Sequence, residues 1–201
     1  MMSELWTFIQ LGFRHITDLQ AMDHILFLLA LAAIYRPRDW RNAMWVVTAF
    51  TVGHSATLAL AVTGTVRLPA QLIEFLIPVT IVATCLENIV VRDRQRAPLS
   101  GRYRPVLAGV FGLVHGAGFA NYLRDLFQDH MALPLLGFNI GIEAGQVVVL
   151  CIAALLLFSA DKVIASLRRP SITSVHRIRV LAVSCAVLVV SARWALERAP
   201  W

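Results

Sequence analysis

Long runs of apolar residues, broken by short polar or proline-containing segments, set the pattern of this chain. Six runs can be drawn, at about residues 16–35, 42–63, 69–91, 105–122, 133–160 and 178–194. Within each, apolar residues follow one another without the regular polar face of a soluble amphipathic helix. Each run approaches the roughly 20 residues that a helix needs to cross the hydrocarbon core of a bilayer. The pattern predicts an all-α fold, a polytopic membrane bundle of six transmembrane helices forming one membrane domain over residues 1–201. Residues 1–14 mix polar and apolar positions and read as a short amphipathic helix lying at the interface.

Charge orients the bundle. Three clusters of cations follow alternate runs: Arg36, Arg38 and Arg41; then Arg92, Arg94, Arg96, Arg102 and Arg104; then Lys162, Arg168, Arg169, Arg177 and Arg179. Arg14, Arg67, Arg124, Arg193 and Arg198 fall on the other side. Cytoplasmic loops carry the excess of Lys and Arg, so both termini are expected on the outer, periplasmic face of a bacterial inner membrane. No cleavable signal peptide is expected, because the basic cluster follows the first apolar run rather than preceding it.

Orientation converts sequence position into depth, at 1.5 Å per helical residue. His15 then marks the outer mouth of the first span, with Asp23 and His24 deeper in it. His54 and Ser55 occupy the outer half of the second span, His115 that of the fourth, and Asn139 with Glu143 that of the fifth. Glu74 opens the third. Charged groups at mid-membrane are costly, and they mark sites where a partner or an ion compensates them. Imidazoles and carboxylates converging at one depth suit a divalent transition metal such as Ni, Co or Zn. The candidate ligands are His15, Asp23, His24, His54, His115, Asn139 and Glu143.

Two geometric expectations follow. Gly137, Gly141 and Gly145 repeat every four residues, as do Gly112 and Gly116, and small residues at that spacing let helices pack closely. Spans four and five are therefore expected to touch, bringing His115 to Glu143. His15 and His24 are nine residues apart, half a turn out of phase on an unbroken helix. Either the chain bends near residues 17–19, or the two do not share an ion. Glu87 and Asn88 read as a snorkelling helix end rather than a lower station on an ion path. His130 and His176 fall in loops and are expected to be solvated.

Composition agrees with the membrane reading and removes alternatives. Apolar residues make up 58 % of the 201 and charged residues 15 %, with a mean hydropathy of +0.70. The net charge of +6 sits in short loops, which does not make a nucleic-acid-binding face. Cys85, Cys151 and Cys185 form no CxxC pair and no disulfide framework, and the absence of clustered thiolates disfavours Cu(I). The expected partners are a metal ion and the lipid bilayer, and a homo-oligomer is compatible with the chain.

The runs HITDLQAMDHILFLLAL, FTVGHSATLALA, FGLVHGAGFA and FNIGIEAGQ, which occur in that order, resemble the HupE/UreJ family of bacterial membrane proteins. The resemblance covers about two thirds of the chain. It implies a nickel or cobalt permease linked to hydrogenase or urease maturation. It also implies metal roles for His15, Asp23 and His24 in the first span, and for His54, His115 and Glu143. An intramembrane zinc hydrolase is the alternative, with three histidines, carboxylates and Ser55 activating water, though no GxSxG elbow is present. A metal-sensing subunit that binds without moving ions is a third reading.

Overall fold

The structure is a computed structural model that describes residues 2–19, 22–65, 69–91, 103–126, 132–168 and 172–200. It contains seven α-helices among these residues: α1 (Met2–Thr17), α2 (Met22–Ile34), α3 (Trp40–Val62), α4 (Ala70–Val90), α5 (Tyr103–Leu126), α6 (Ala132–Arg168) and α7 (Ile172–Glu197). A 3-10 turn, Pro37–Asp39, leads into α3. No strand occurs among the described residues.

Four helices are long and apolar enough to cross a membrane: Trp40–Ala61, Ala70–Val90, Ala132–Ser166 and Val175–Glu197. The α1–α2 pair meets the same measure as one broken span, bent by 68°. The six expected spans thus become four helices and a bent pair; α5, with His115 and four glycines along its 24 residues, is not among them. Large apolar side chains point outward, among them Leu155, Leu156 and Val189, each about two-thirds exposed. A surface of that kind is stable against lipid and not against water.

The first apolar run is not one helix. α1 ends at Thr17 and α2 begins at Met22. The Thr17 hydroxyl donates to the Phe13 carbonyl at 2.9 Å, a back-bond that competes with the helical ladder. Asp23 sits in the first turn of α2, where a carboxylate complements the helix dipole. The amphipathic helix expected over residues 1–14 falls within α1, which runs alongside α6.

Glycine decides how the helices pair. The Gly137, Gly141 and Gly145 row of α6 seats α1: a Cβ at Gly141 would overlap the backbone of Ile9 and stand 2.8 Å from the Phe13 amide. Gly12 of α1 lies equally close to the Phe138 carbonyl. The glycine row of α5 packs on α3, where a Cβ at Gly112 would lie 2.9 Å from the His54 amide and one at Gly116 2.9 Å from the His54 Cα. The expected contact between the glycine faces of α5 and α6 is therefore replaced by two separate pairs, α5 with α3 and α6 with α1. A glycine row specifies close approach but not its partner.

At the opposite end of α2 from His24, α7 ties the bundle together with arginines. Arg177 donates to the carbonyls of Asn88 (3.2 Å) and Ile89 at the C-terminus of α4. Arg179 donates to Ala33 and Tyr35 at the C-terminus of α2, each at 3.2 Å. The last carbonyls of a helix lack intrahelical partners and carry its negative dipole end, so these cations satisfy both needs. Asn88, fully buried, donates to the Ala30 carbonyl (2.8 Å) and the Ser184 hydroxyl (3.3 Å). Glu87 accepts from the Tyr103 hydroxyl and from Arg104 at 2.5 Å. Glu87 and Asn88 are thus a built network rather than a snorkelling end. His176 lies in α7 rather than in a loop, where its Nδ1 accepts from Arg179 at 2.7 Å. His130 lies outside the described residues.

Candidate metal centre

Histidines from α1, α2, α3 and α5 meet inside the bundle. The bend after Thr17 carries His15 back toward His24, and their ring centroids lie 4.8 Å apart. His54 stands 5.9 Å from His15 and 6.1 Å from His24, and His115 5.1 Å from His24. His15, His24 and His54 each offer a ring nitrogen, and the three atoms lie within 4.8 Å of one another. Of the two readings left open by the nine-residue spacing, the structure takes the bend.

The cluster is dry. His24, His54 and His115 are buried and His15 is half-buried. Phe119 lies tilted against His15 at 4.0 Å, Phe50 meets His115 at 5.1 Å, and Phe138 meets His15 at 5.7 Å. Within this shell, His15 Nε2, His24 Nε2, both nitrogens of His54 and His115 Nδ1 have no hydrogen-bond partner among the described residues. An unsatisfied buried polar atom costs about 1–3 kcal/mol. Neutral His54 keeps a proton on one of its nitrogens, so up to four of these five atoms offer lone pairs, as in a site built for something that accepts them.

Two neighbours fix which nitrogens carry those lone pairs. Asp23 Oδ1 accepts from the His24 amide at 2.9 Å and lies 3.1 Å from His24 Nδ1. A carboxylate only accepts, so Nδ1 carries the proton and Nε2 keeps its lone pair. Thr80 works in a parallel way. Its hydroxyl donates to the Ile77 carbonyl at 2.7 Å and stands 3.0 Å from His115 Nε2. The single hydroxyl proton is used on Ile77, so His115 Nε2–H donates and Nδ1 keeps the lone pair. Both orphaned atoms are the ones left able to coordinate. An outer carboxylate or hydroxyl that fixes the tautomer of a ligating histidine is a recurrent device of metal sites. Thr80 carried no metal signal in the sequence.

The carboxylate and amide positions of α6 are elsewhere engaged. Ser55 lies 2.6 Å from Asn139 Oδ1, Thr48 donates to Glu143 Oε1 at 2.9 Å, and Thr51 donates to Gln146 Oε1 at 2.9 Å. These contacts bind α6 to the face of α3 that flanks His54. Glu143 does not meet His115, because the helix pairing that would have joined them does not form. Ser55 lies 2.6 Å from the Thr51 carbonyl, and its hydroxyl bonds no histidine among the described residues. Glu74 is exposed near the start of α4.

Over residues 1–198 the chain matches the family described as HupE / UreJ protein. The chain belongs to the HupE/UreJ family. Members are associated with nickel and cobalt transport. No curated protein matches the chain, and no solved structure does. A HupE/UreJ protein whose helices expose this much apolar surface is a membrane protein, and family and histidine cluster together point to metal handling.

Proposed function

We propose that this protein is a permease for a divalent transition metal, nickel or cobalt, which passes through the imidazole cluster. The observation that carries the reading is the group of His15, His24 and His54 nitrogens within 4.8 Å, enclosed in an apolar bundle and without other partners. His24 binds through Nε2 with Asp23 behind it, and His115 through Nδ1 with Thr80 behind it. Asn139 and Glu143 act through α3, holding the segment that presents His54.

Charge favours passage over permanent retention. Neutral imidazoles leave a divalent ion with Asp23 as its nearest countercharge, so the ion is held by dative bonds in a low-dielectric pocket without full neutralisation. Transport requires binding that is favourable enough for the ion to enter and weak enough for it to leave. Beyond the cluster, Arg104, Arg177 and Arg179 close the far end of the bundle, and release requires these cations to separate. In this reading α5 and the α1–α2 pair complete six crossings of a bacterial inner membrane, with both termini outside.

Cells expressing the wild-type protein accumulate radioactive nickel or cobalt above background, whereas His24→Ala and His54→Ala lose that accumulation while remaining in the membrane. Equal uptake by all three would reject the permease. Saturable binding by the purified protein without any uptake would indicate the sensor instead. The zinc-hydrolase alternative has no support from Ser55, whose hydroxyl is engaged by α3 and α6.

A further inference from the structure

A second polar feature lies at the opposite end of α2 from the histidines. Eleven residues separate His24 from Tyr35, about 16 Å along a helix axis. There the 3-10 turn, the end of α6 and the start of α7 surround a cavity of about 480 Å³. Arg36, Arg38, Lys162 and Arg179 line it against one carboxylate, Asp161. Arg179 is committed: it caps α2, bonds Asp161 Oδ2 and stacks 4.9 Å over Phe158. Arg36, Arg38 and Lys162 form no ion pair among the described residues.

Two observations identify what the cavity accepts. Three cations without an ion pair among the described residues, around an open cavity, attract an anion, and oxygen-rich phosphate suits guanidinium donors. Asp161 Oδ1 is buried without a hydrogen-bond partner among the described residues, which leaves an acceptor beside the cavity for a donor group of the ligand. Phe158 and Val175 add an apolar wall, and the cavity sits where the long helices α6 and α7 end. Basic pockets between membrane helices near the cytoplasmic surface are suited to acidic lipid headgroups.

We propose that this cavity binds the headgroup of an anionic phospholipid. The phosphodiester rests on Arg36, Arg38 and Lys162, and a headgroup hydroxyl donates to Asp161 Oδ1. The bound lipid would brace the junction where Arg179 joins the ends of α2 and α6.

The test uses full-length protein, delipidated in neutral detergent, with bound lipid counted by native mass spectrometry and stability followed by thermal unfolding. Short-chain phosphatidylglycerol binds and raises the unfolding temperature, and phosphatidylcholine does neither. Replacing Arg36, Arg38 and Lys162 by Ala weakens phosphatidylglycerol binding about fivefold for each cation removed. The charge-retaining Arg36→Lys/Arg38→Lys variant keeps most of the binding, as does an Arg193→Ala/Arg198→Ala control at the other end of α7. Undiminished binding by the triple variant, or equal loss in the control, would overturn the site. Inorganic phosphate that binds as tightly as the lipid would overturn the lipid as its source.

Discussion

Two hydrogen bonds decide which nitrogen of His24 and of His115 keeps its lone pair for the proposed metal. Asp23 holds the Nδ1 proton of His24, and Thr80 holds the Nε2 proton of His115. Outer partners of this kind are worth about 10–100-fold in metal affinity. Asp23→Asn and Thr80→Val are each expected to weaken Ni²⁺ or Co²⁺ binding by about that factor, measured by titration of purified protein. Glu143→Gln, which preserves the acceptor for Thr48, leaves affinity nearly unchanged. A large loss in Glu143→Gln would make Glu143 a direct ligand. At this scale the sequence was informative about residue type and silent about role. Histidine and aspartate in apolar runs mark a site by their desolvation cost. Whether a carboxylate coordinates or orients depends on distances that spacing along the chain does not contain. Thr80 illustrates the limit, since threonines in apolar helices ordinarily bond their own backbone, as Thr84 does to Thr80.

Helices here are joined by contacts between backbones. His54 is positioned by Gly112 and Gly116, whose missing Cβ atoms leave room for its amide and Cα. Gly112→Ala forces α3 and α5 apart, because the obstructing atoms are main chain and cannot rotate away. A loss of about 1–3 kcal/mol is expected, read as a lower unfolding temperature in detergent together with weaker metal binding. Gly118→Ala meets side chains and no main chain, Ile77 Cδ1 at 3.0 Å and Ile73 Cγ2 at 3.6 Å, and is expected to be mild. Equal effects from the two would mean that the α3–α5 contact does not set His54. The glycine rows were evident in the sequence, but their partners were not. Any two such rows are compatible, and the polar rungs Thr48–Glu143, Thr51–Gln146 and Ser55–Asn139 show that α6 meets α3 through another face. The break between α1 and α2 was signalled by phase: His15 and His24 could converge only if the helix ended between them.

For the whole molecule, apolar runs located the helices well because hydrocarbon tolerates little else. The run at 133–160 is part of a longer helix, α6, and that at 178–194 part of α7. Basic clusters that indicated orientation also proved structural, with Arg177 and Arg179 capping α4 and α2. In the proposed topology, six crossings would place both termini on the outer face. A cysteine introduced at Ser3 or at Ala199, in a background lacking Cys151 and Cys185, is therefore expected to react with a membrane-impermeant maleimide in intact cells. Protection of one terminus alone would mean an odd number of crossings, with α5 failing to span.

Metal-edge X-ray absorption on the purified protein loaded with one equivalent of Co²⁺ or Ni²⁺ tests the cluster most directly. Coordination by His15, His24, His54 and His115 gives several imidazole nitrogens in the first shell, with the ring scattering pattern beyond it, and a diminished imidazole signal in His24→Ala. A first shell of oxygen alone, unchanged by that substitution, would contradict a metal centre made of these four histidines.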